Sequence, residues 1–135
     1  MKTHRVIICG GRTELDYQVA SGNIREIFTQ LQIETAEIIS GGARGADKVG
    51  ELFAEENGIP LKRFLPDWGR YGRGAGLKRN LQMLEYAMGS ENPIVIAFWN
   101  GESKGTGFTV ENARQRNIPV YVIDCSEMIV EKNGN

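Results

Sequence analysis

A single histidine and two cysteines stand among 135 residues. So few soft ligands exclude a zinc cluster, and no carboxylate-rich loop has calcium spacing. Cys9 and Cys125 show neither metal-ligand spacing nor the density of a disulfide scaffold. Each closes an apolar run and reads as a reduced core thiol. The lone histidine, His4, precedes the first strand-like run, at the opposite end of a sheet from loops that follow strands, which excludes a histidine base. Charge of one sign is also missing: 16 Lys and Arg face 17 Asp and Glu, a net charge of −1. Such balance gives no long-range pull on nucleic acid or acidic membranes, so DNA binding would need a local patch. No apolar run approaches the roughly 20 residues that span a bilayer. Met1 to Arg5 lead straight into a short strand-like run, not a secretory segment, and a cytoplasmic protein without membrane contact is expected.

At this length one domain over 1–135 is the expectation, since domains commonly take roughly 100–150 residues. Short β-branched runs, Arg5–Cys9, Glu37–Ser40, Leu61–Leu65, Ile94–Trp99 and Pro119–Asp124, read as strands. Between them Ile24, Ile27, Phe28 and Leu31 recur at helical spacing, as do Val49, Leu52 and Phe53. Leu77, Leu81 and Leu84 follow, then Val110 and Ala113. The runs VIIC and IVIAF lack polar alternation, the mark of strands covered on both faces. The fold class is therefore α/β: a three-layer, Rossmann-like, open and mainly parallel sheet with helices on both faces.

The 17 glycines gather directly after strands, at Gly10-Gly11-Arg12, at Ser40-Gly41-Gly42-Ala43-Arg44-Gly45, and from Gly101 through Ser103, Lys104, Gly105 and Thr106 to Gly107. In an open parallel sheet these loops share the edge where ligands bind. Glycine there lets backbone amides approach an anion, and the following helix adds its positive N-terminal end. Glycines that simply make tight turns are the bland alternative for any single loop. Three such loops, two carrying Arg44 and Lys104, favour a phosphate ligand. No Walker A motif closes any of them, and the dinucleotide order G-x-G-x-x-G is missing after the first strand.

The stretch from Asp67 and Trp68 through Arg70, Tyr71 and Arg73 to Gly76 reads as a long flexible lid ahead of the helix bearing Arg79 and Asn80. Trp68 or Tyr71 can stack on a base, while Arg70, Arg73 or Arg79 can pair with phosphate. Arg79 and Asn80 sit in the first turns of a helix directed back at the sheet edge, where a fixed fork of donors can meet an anion.

Taken in order, Gly10–Arg12, Ser40–Asp47, Asp67-Trp68, Ala75-Gly76 with Arg79-Asn80, and Ser103–Thr106 resemble the SLOG superfamily, which joins the Smf/DprA DNA-uptake proteins to the LOG nucleotide hydrolases. The likeness is greatest to its small stand-alone YspA/YpsA-like branch, common in bacteria and phages. The resemblance implies a Rossmann-like domain holding a nucleotide or nucleotide-derived ligand, such as an ADP-ribose, NAD-like or cyclic nucleotide, at the strand ends. Gly41 to Gly45 would wrap a phosphate, and Asp47 would cap the next helix or orient Arg44. Gly105 and Thr106 would form a second cradle. It also implies a homo-oligomer, and Met83, Tyr86 and Met88 read either as its face or simply as core. No cofactor is required, although a magnesium ion arriving with the phosphate is compatible.

Hydrolases of the LOG type carry a Glu three residues after the Thr of their Gly-Thr pair. Here that position is Thr109, and Glu111 lies two residues further, rotated by about 200° on a helix. A binding module, sensing or sequestering a nucleotide signal, is accordingly the main reading. The alternative is a hydrolase of nucleoside monophosphate N-glycosidic bonds with Glu111 or Glu102 as the substitute acid. A DprA-like DNA-binding role is more distant, since Arg70, Arg73, Lys78 and Arg79 form only one local basic cluster.

Overall fold

Five strands and five helices follow one another in the computed structural model, which describes residues 3–130. Strand β1 (Thr3–Gly10) leads to helix α1 (Tyr17–Gln30), β2 (Thr35–Ser40) to α2 (Ala46–Glu56), and β3 (Leu61–Arg63) to the short α3 (Trp68–Tyr71). A 3-10 turn over Gly72–Gly74 then opens α4 (Ala75–Met88), followed by β4 (Asn92–Phe98), α5 (Lys104–Gln115) and β5 (Val120–Ile123). All strand pairings are parallel, in the order β3-β2-β1-β4-β5. The expected three-layer sheet is what forms.

The absence of polar alternation in β1 and β4 has the anticipated cause. Val6, Ile8, Ile94, Ile96 and Phe98 pack beneath α1 and α2, while Ile7, Cys9, Val95 and Ala97 pack beneath α4 and α5. Val6, Ile7 and Ile8 are fully buried. Burial of each such side chain contributes roughly 1.5–3 kcal/mol relative to exposure, so the central strands carry both layers.

The helix-to-strand connections reuse one device. After α1, α2 and α5 the chain turns through a left-handed residue, Gln32 (φ 54°), Gly58 (φ 62°) and Asn117 (φ 59°). The next amide, of Ile33, Ile59 or Ile118, then donates back to the carbonyl of Phe28, Ala54 or Ala113 at 2.8–2.9 Å. These are Schellman caps in which the isoleucine that satisfies the last carbonyls also enters the core.

Two segments differ from the sequence reading. Leu61–Leu65 pairs as a strand only over Leu61–Arg63, although Phe64 still donates to the Ser40 carbonyl at 2.8 Å. Near the C-terminus, in the Glu127–Asn135 tail to which the sequence gives no function, a 3-10 turn over Ser126–Met128 buries Met128 in the core. Its carbonyl accepts from Asp16 at 2.6 Å, and Ile129 bridges Leu15. Residues 131–135 of that segment lie outside the described residues. Among the described residues no helix is long and apolar enough to cross a membrane, and no group of three His, Cys, Asp or Glu side chains gathers as a metal site.

Candidate functional site

Neighbouring strands β1 and β4 send their next helices to opposite faces, α1 to one and α5 to the other. Such a switch point opens a crevice at the carboxyl ends of the strands. The crevice here measures about 460 Å³, inside the roughly 300–1,000 Å³ usual for small-molecule sites. The loops that frame it interlock tightly. A Cβ on Gly10 would lie 2.4 Å from the Phe98 carbonyl oxygen and 2.6 Å from Ala46 Cβ. Gly45, at φ 74°, comes so close to the first loop that its Cβ would stand 2.3 Å from the Gly11 oxygen, and Ala46 N–H donates to that oxygen at 3.2 Å.

Arg79 lies one turn into α4 on its inward stripe, between Ala75 and Met83, and is 8% exposed. One Nη1 hydrogen is donated to the Gly41 carbonyl, and Nε donates to Asn80 Oδ1 at 2.8 Å. Asn80 Nδ2 reaches the Gly105 carbonyl at 3.5 Å, so the pair ties the second glycine loop to the third. Burial lowers the Arg79 pKa; Asp47 opposes this, and the cation of Arg12 adds to it. Burial likewise raises the Asp47 carboxyl, against the Ala43 amide and Arg79, which pull it down. Arg12, Arg73 and Arg79 all line the crevice, and among the described residues Asp47 is the only carboxylate that does. The site therefore carries a local positive surplus that the balanced total charge conceals.

At the third loop, Ser103 caps α5: its Oγ accepts from the Thr106 amide at 3.3 Å and from Thr106 Oγ1 at 3.0 Å. Ser103, Gly105 and Thr106 line the crevice, bringing the positive end of a twelve-residue helix to it. Trp68, 53% exposed, stands at the mouth beside Gly76.

Twelve expected ligand residues thus meet on one crevice: Gly10, Gly11 and Arg12 from the first loop, Ala43 and Asp47 from the second, Trp68, Gly76, Arg79 and Asn80 around α4, and Ser103, Gly105 and Thr106 at α5. The others lie elsewhere. Arg44 and Lys104 are exposed away from the crevice. Asp67 caps the Arg70 amide at 3.1 Å instead of facing a ligand. Ser40 is fully buried behind the second loop, donating to Glu51 Oε2 at 2.7 Å and accepting from Gly42 at 3.0 Å.

The second glycine loop, expected to wrap an anion, has two of its amides engaged within the chain. Its Gly42 and Ala43 amides are taken by Ser40 Oγ and Asp47 Oδ2, and Gly41 makes room for the Arg79 guanidinium. Gly42 faces Leu65 and Arg63. Asp47 neither caps α2, whose N-cap is Gly45, nor orients Arg44; its carboxylate fastens the loop. The long lid is also replaced, by α3 and a 3-10 turn, because Asp67 nucleates a helical turn. Arg70 and Lys78 lie near the Tyr71 ring, at 5.3 and 5.7 Å, outside the crevice.

Both candidate acids are misplaced for catalysis in this crevice. Glu111 faces a groove on the outer side of α5, and Glu102 an adjoining hollow beside Cys125. Thr109 does line the crevice, with Oγ1 donating to the Gly105 carbonyl at 3.2 Å. Leu77, expected at helical spacing, and Met83, a candidate for a dimer face, supply apolar wall together with Cys9. Their spacing alone reads as core, and only the opening of the sheet distinguishes them. The Cys9 thiol is pushed up by burial, with Asp47 adding to the effect and Arg79 opposing it, so it is held as an unreactive thiol.

Residues 4–71, half of the chain, match the family model described as the YspA, cpYpsA-related SLOG family. The chain is also similar to the Gene 61 protein of Mycobacterium phage D29, 32% identical over an 88-residue alignment that covers 62% of this chain and 67% of that protein. The matched stretch contains the first and second glycine loops, Asp47 and Trp68, which form one side of the crevice. With its 3-2-1-4-5 parallel sheet and interlocked glycine loops, the chain belongs to the YspA, cpYpsA-related SLOG family.

Proposed function

We propose that the crevice binds a nucleotide or nucleotide-derived ligand and holds it without cleavage, as a sensor or sequestering protein would. One observation carries this reading: three guanidinium groups and the α5 N-terminus converge on a hollow in which a single buried carboxylate answers them. Arg79 is fixed by Gly41 and Asn80, so it offers its remaining N–H groups in a set direction at little entropic cost. Arg12 and Arg73 are exposed, their side chains make no hydrogen bond or ion pair among the described residues, and both can close on phosphate oxygens. Trp68 at the mouth gives a base a face to stack on, with Leu77 as an apolar neighbour.

Retention over hydrolysis is supported by the acids. A glycosidase needs a carboxylate at the scissile bond, yet Thr109 occupies the crevice position where LOG-type hydrolases carry Glu. Asp47 is committed to the Ala43 amide at 3.1 Å. The test incubates the protein with ADP-ribose, NAD, nucleoside monophosphates and cyclic nucleotides, follows the melting temperature, and weighs the recovered ligand by mass spectrometry. A ligand present at 100 times its Kd adds about 2.7 kcal/mol to stability, several degrees in melting temperature. The expected outcome is such a shift with the ligand recovered intact; release of free base would assign the hydrolytic role instead.

A further inference from the structure

Helix α5 has two working faces. Its inner face, through Thr106, Thr109, Val110 and Ala113, is buried against the sheet and the crevice. On the outer face Lys104, Gly107, Phe108 and Glu111 recur at i, i+3, i+4 and i+7, continuing to Arg114 and Gln115. This stripe lines one open groove of about 810 Å³ with Trp99 beside it. The groove is apolar at its centre. Gly107 packs so close to the Trp99 ring that a Cβ would stand 3.0 Å from Cζ2, and Phe108 is only half-buried. Lys104, Glu111 and Arg114 are exposed, and none of their side chains makes a hydrogen bond or ion pair among the described residues.

The arrangement of these charges is self-complementary. When two copies of a helix pack antiparallel about a two-fold axis, residues equidistant from the axis on either side face one another. With the axis between Gly107 and Phe108, Lys104 and Glu111 lie at equal distances on opposite sides, about 5 Å along the helix in each direction. One unlike pair, Lys104 with Glu111, is thereby formed twice, around an apolar centre that a second copy would exclude from water. No like charges are opposed.

We propose that this face of α5 is the interface of a symmetric homodimer, with α5 packed antiparallel on α5 of a second copy and Lys104 paired with the second copy's Glu111. Glu111, one of the two acids that the crevice leaves unused, then has an assembly role. Met83 and Tyr86, the sequence candidates for a dimer face, are committed within the chain. Met83 is 2% exposed, and Tyr86 donates to Glu37 Oε1 at 2.7 Å. Only Met88 of that group stays exposed.

The test measures mass in solution by light scattering for the full chain, Lys104→Glu, Glu111→Lys, an equimolar mixture of the two, and the double reversal. Both residues are solvent-exposed, and circular dichroism with a melting temperature checks that each variant folds. The wild type is expected to be a dimer and each single reversal a monomer, because each opposes like charges twice. The mixture should return to dimer as a heterodimer, and the double reversal as a homodimer, since unlike pairs are restored in both. A monomeric wild type, dimeric single variants, or a mixture that stays monomeric would overturn the proposal.

Discussion

The Arg79 guanidinium donates to the carbonyl of Gly41, a residue 38 positions earlier in the chain. That bond is possible because position 41 has no side chain. A Cβ there would stand 2.8 Å from Arg79 Nη1 and 2.9 Å from Asp47 Oδ2, the two charged groups that set the electrostatics of the crevice.

Gly41→Ala should therefore act at a distance from its own backbone. Intruding on a packed, polar site costs about 1–3 kcal/mol of stability, and relief by displacing Arg79 removes a fixed donor from the crevice. Urea denaturation should show the loss of stability, and calorimetric titration with the ligand a loss of affinity. An alanine variant that matches wild type in both would mean that the site has room the structure does not display.

Asp47 supplies a pH dependence whose sign follows from its raised carboxyl pKa, caused first by burial. The unfolded chain releases this proton near the ordinary value of 3.8, whereas the folded chain keeps it to a higher pH. In that window the folded state binds more protons, so this group's contribution to stability is greatest below the unfolded value and declines as pH rises through the folded one. Asp47→Asn removes the titration and retains an acceptor for the Ala43 amide. Compared by denaturation at pH 4 and pH 7, the wild type should lose ground to the variant at the higher pH. A stability difference that is constant over the range would contradict the shift.

Gln32 offers a stabilising change remote from the site. It is an exposed, left-handed residue (φ 54°) at the end of α1, with no turn chemistry to favour that geometry. The left-handed conformation costs a residue with a Cβ about 1–2 kcal/mol, and glycine gives back about 0.5–1 kcal/mol through its freer unfolded state. Gln32→Gly should gain about 0.5–1 kcal/mol in urea denaturation. Asn117, in the same conformation, should gain less, because asparagine already tolerates it.

Much of the fold is legible in the sequence because VIIC and IVIAF are buried on both faces, which only a doubly covered parallel sheet demands. The site is legible at the level of loops, since glycine after a strand marks the edge where helices diverge. Individual side chains are less so. Arg44 and Arg12 look equivalent on paper, but Arg12 follows the loop at the switch point while Arg44 sits on the outer side of a loop whose amides are consumed internally.

Short elements escaped for a different reason. Trp68–Tyr71 and Ser126–Met128 span too few residues to show a period. What defines them is a capping carboxylate in one case and a buried methionine, reached from the far end of the chain, in the other. The cap is local, an Asp three residues ahead of the amide it accepts from, but a single turn is too short to announce a helix, and the methionine contact carries no local signature. The same holds for Leu77 and Met83, which follow the spacing of core residues and become crevice wall only because the sheet opens beside them.

The most direct measurement compares a nucleotide with its parent nucleoside. Thermal shift and calorimetry are run on wild type and on the double variant Arg12→Ala/Arg73→Ala, whose exposed side chains leave folding within about 0.5 kcal/mol of wild type. Hydrogen bonds to charged groups are worth about 1.5–3 kcal/mol, so removing each arginine should weaken the nucleotide by roughly ten- to a hundredfold. The phosphorylated ligand should bind wild type far more tightly than the nucleoside, with the difference largely erased in the variant. Equal binding of nucleotide and nucleoside, or a variant that retains full affinity, would contradict a phosphate site in this crevice.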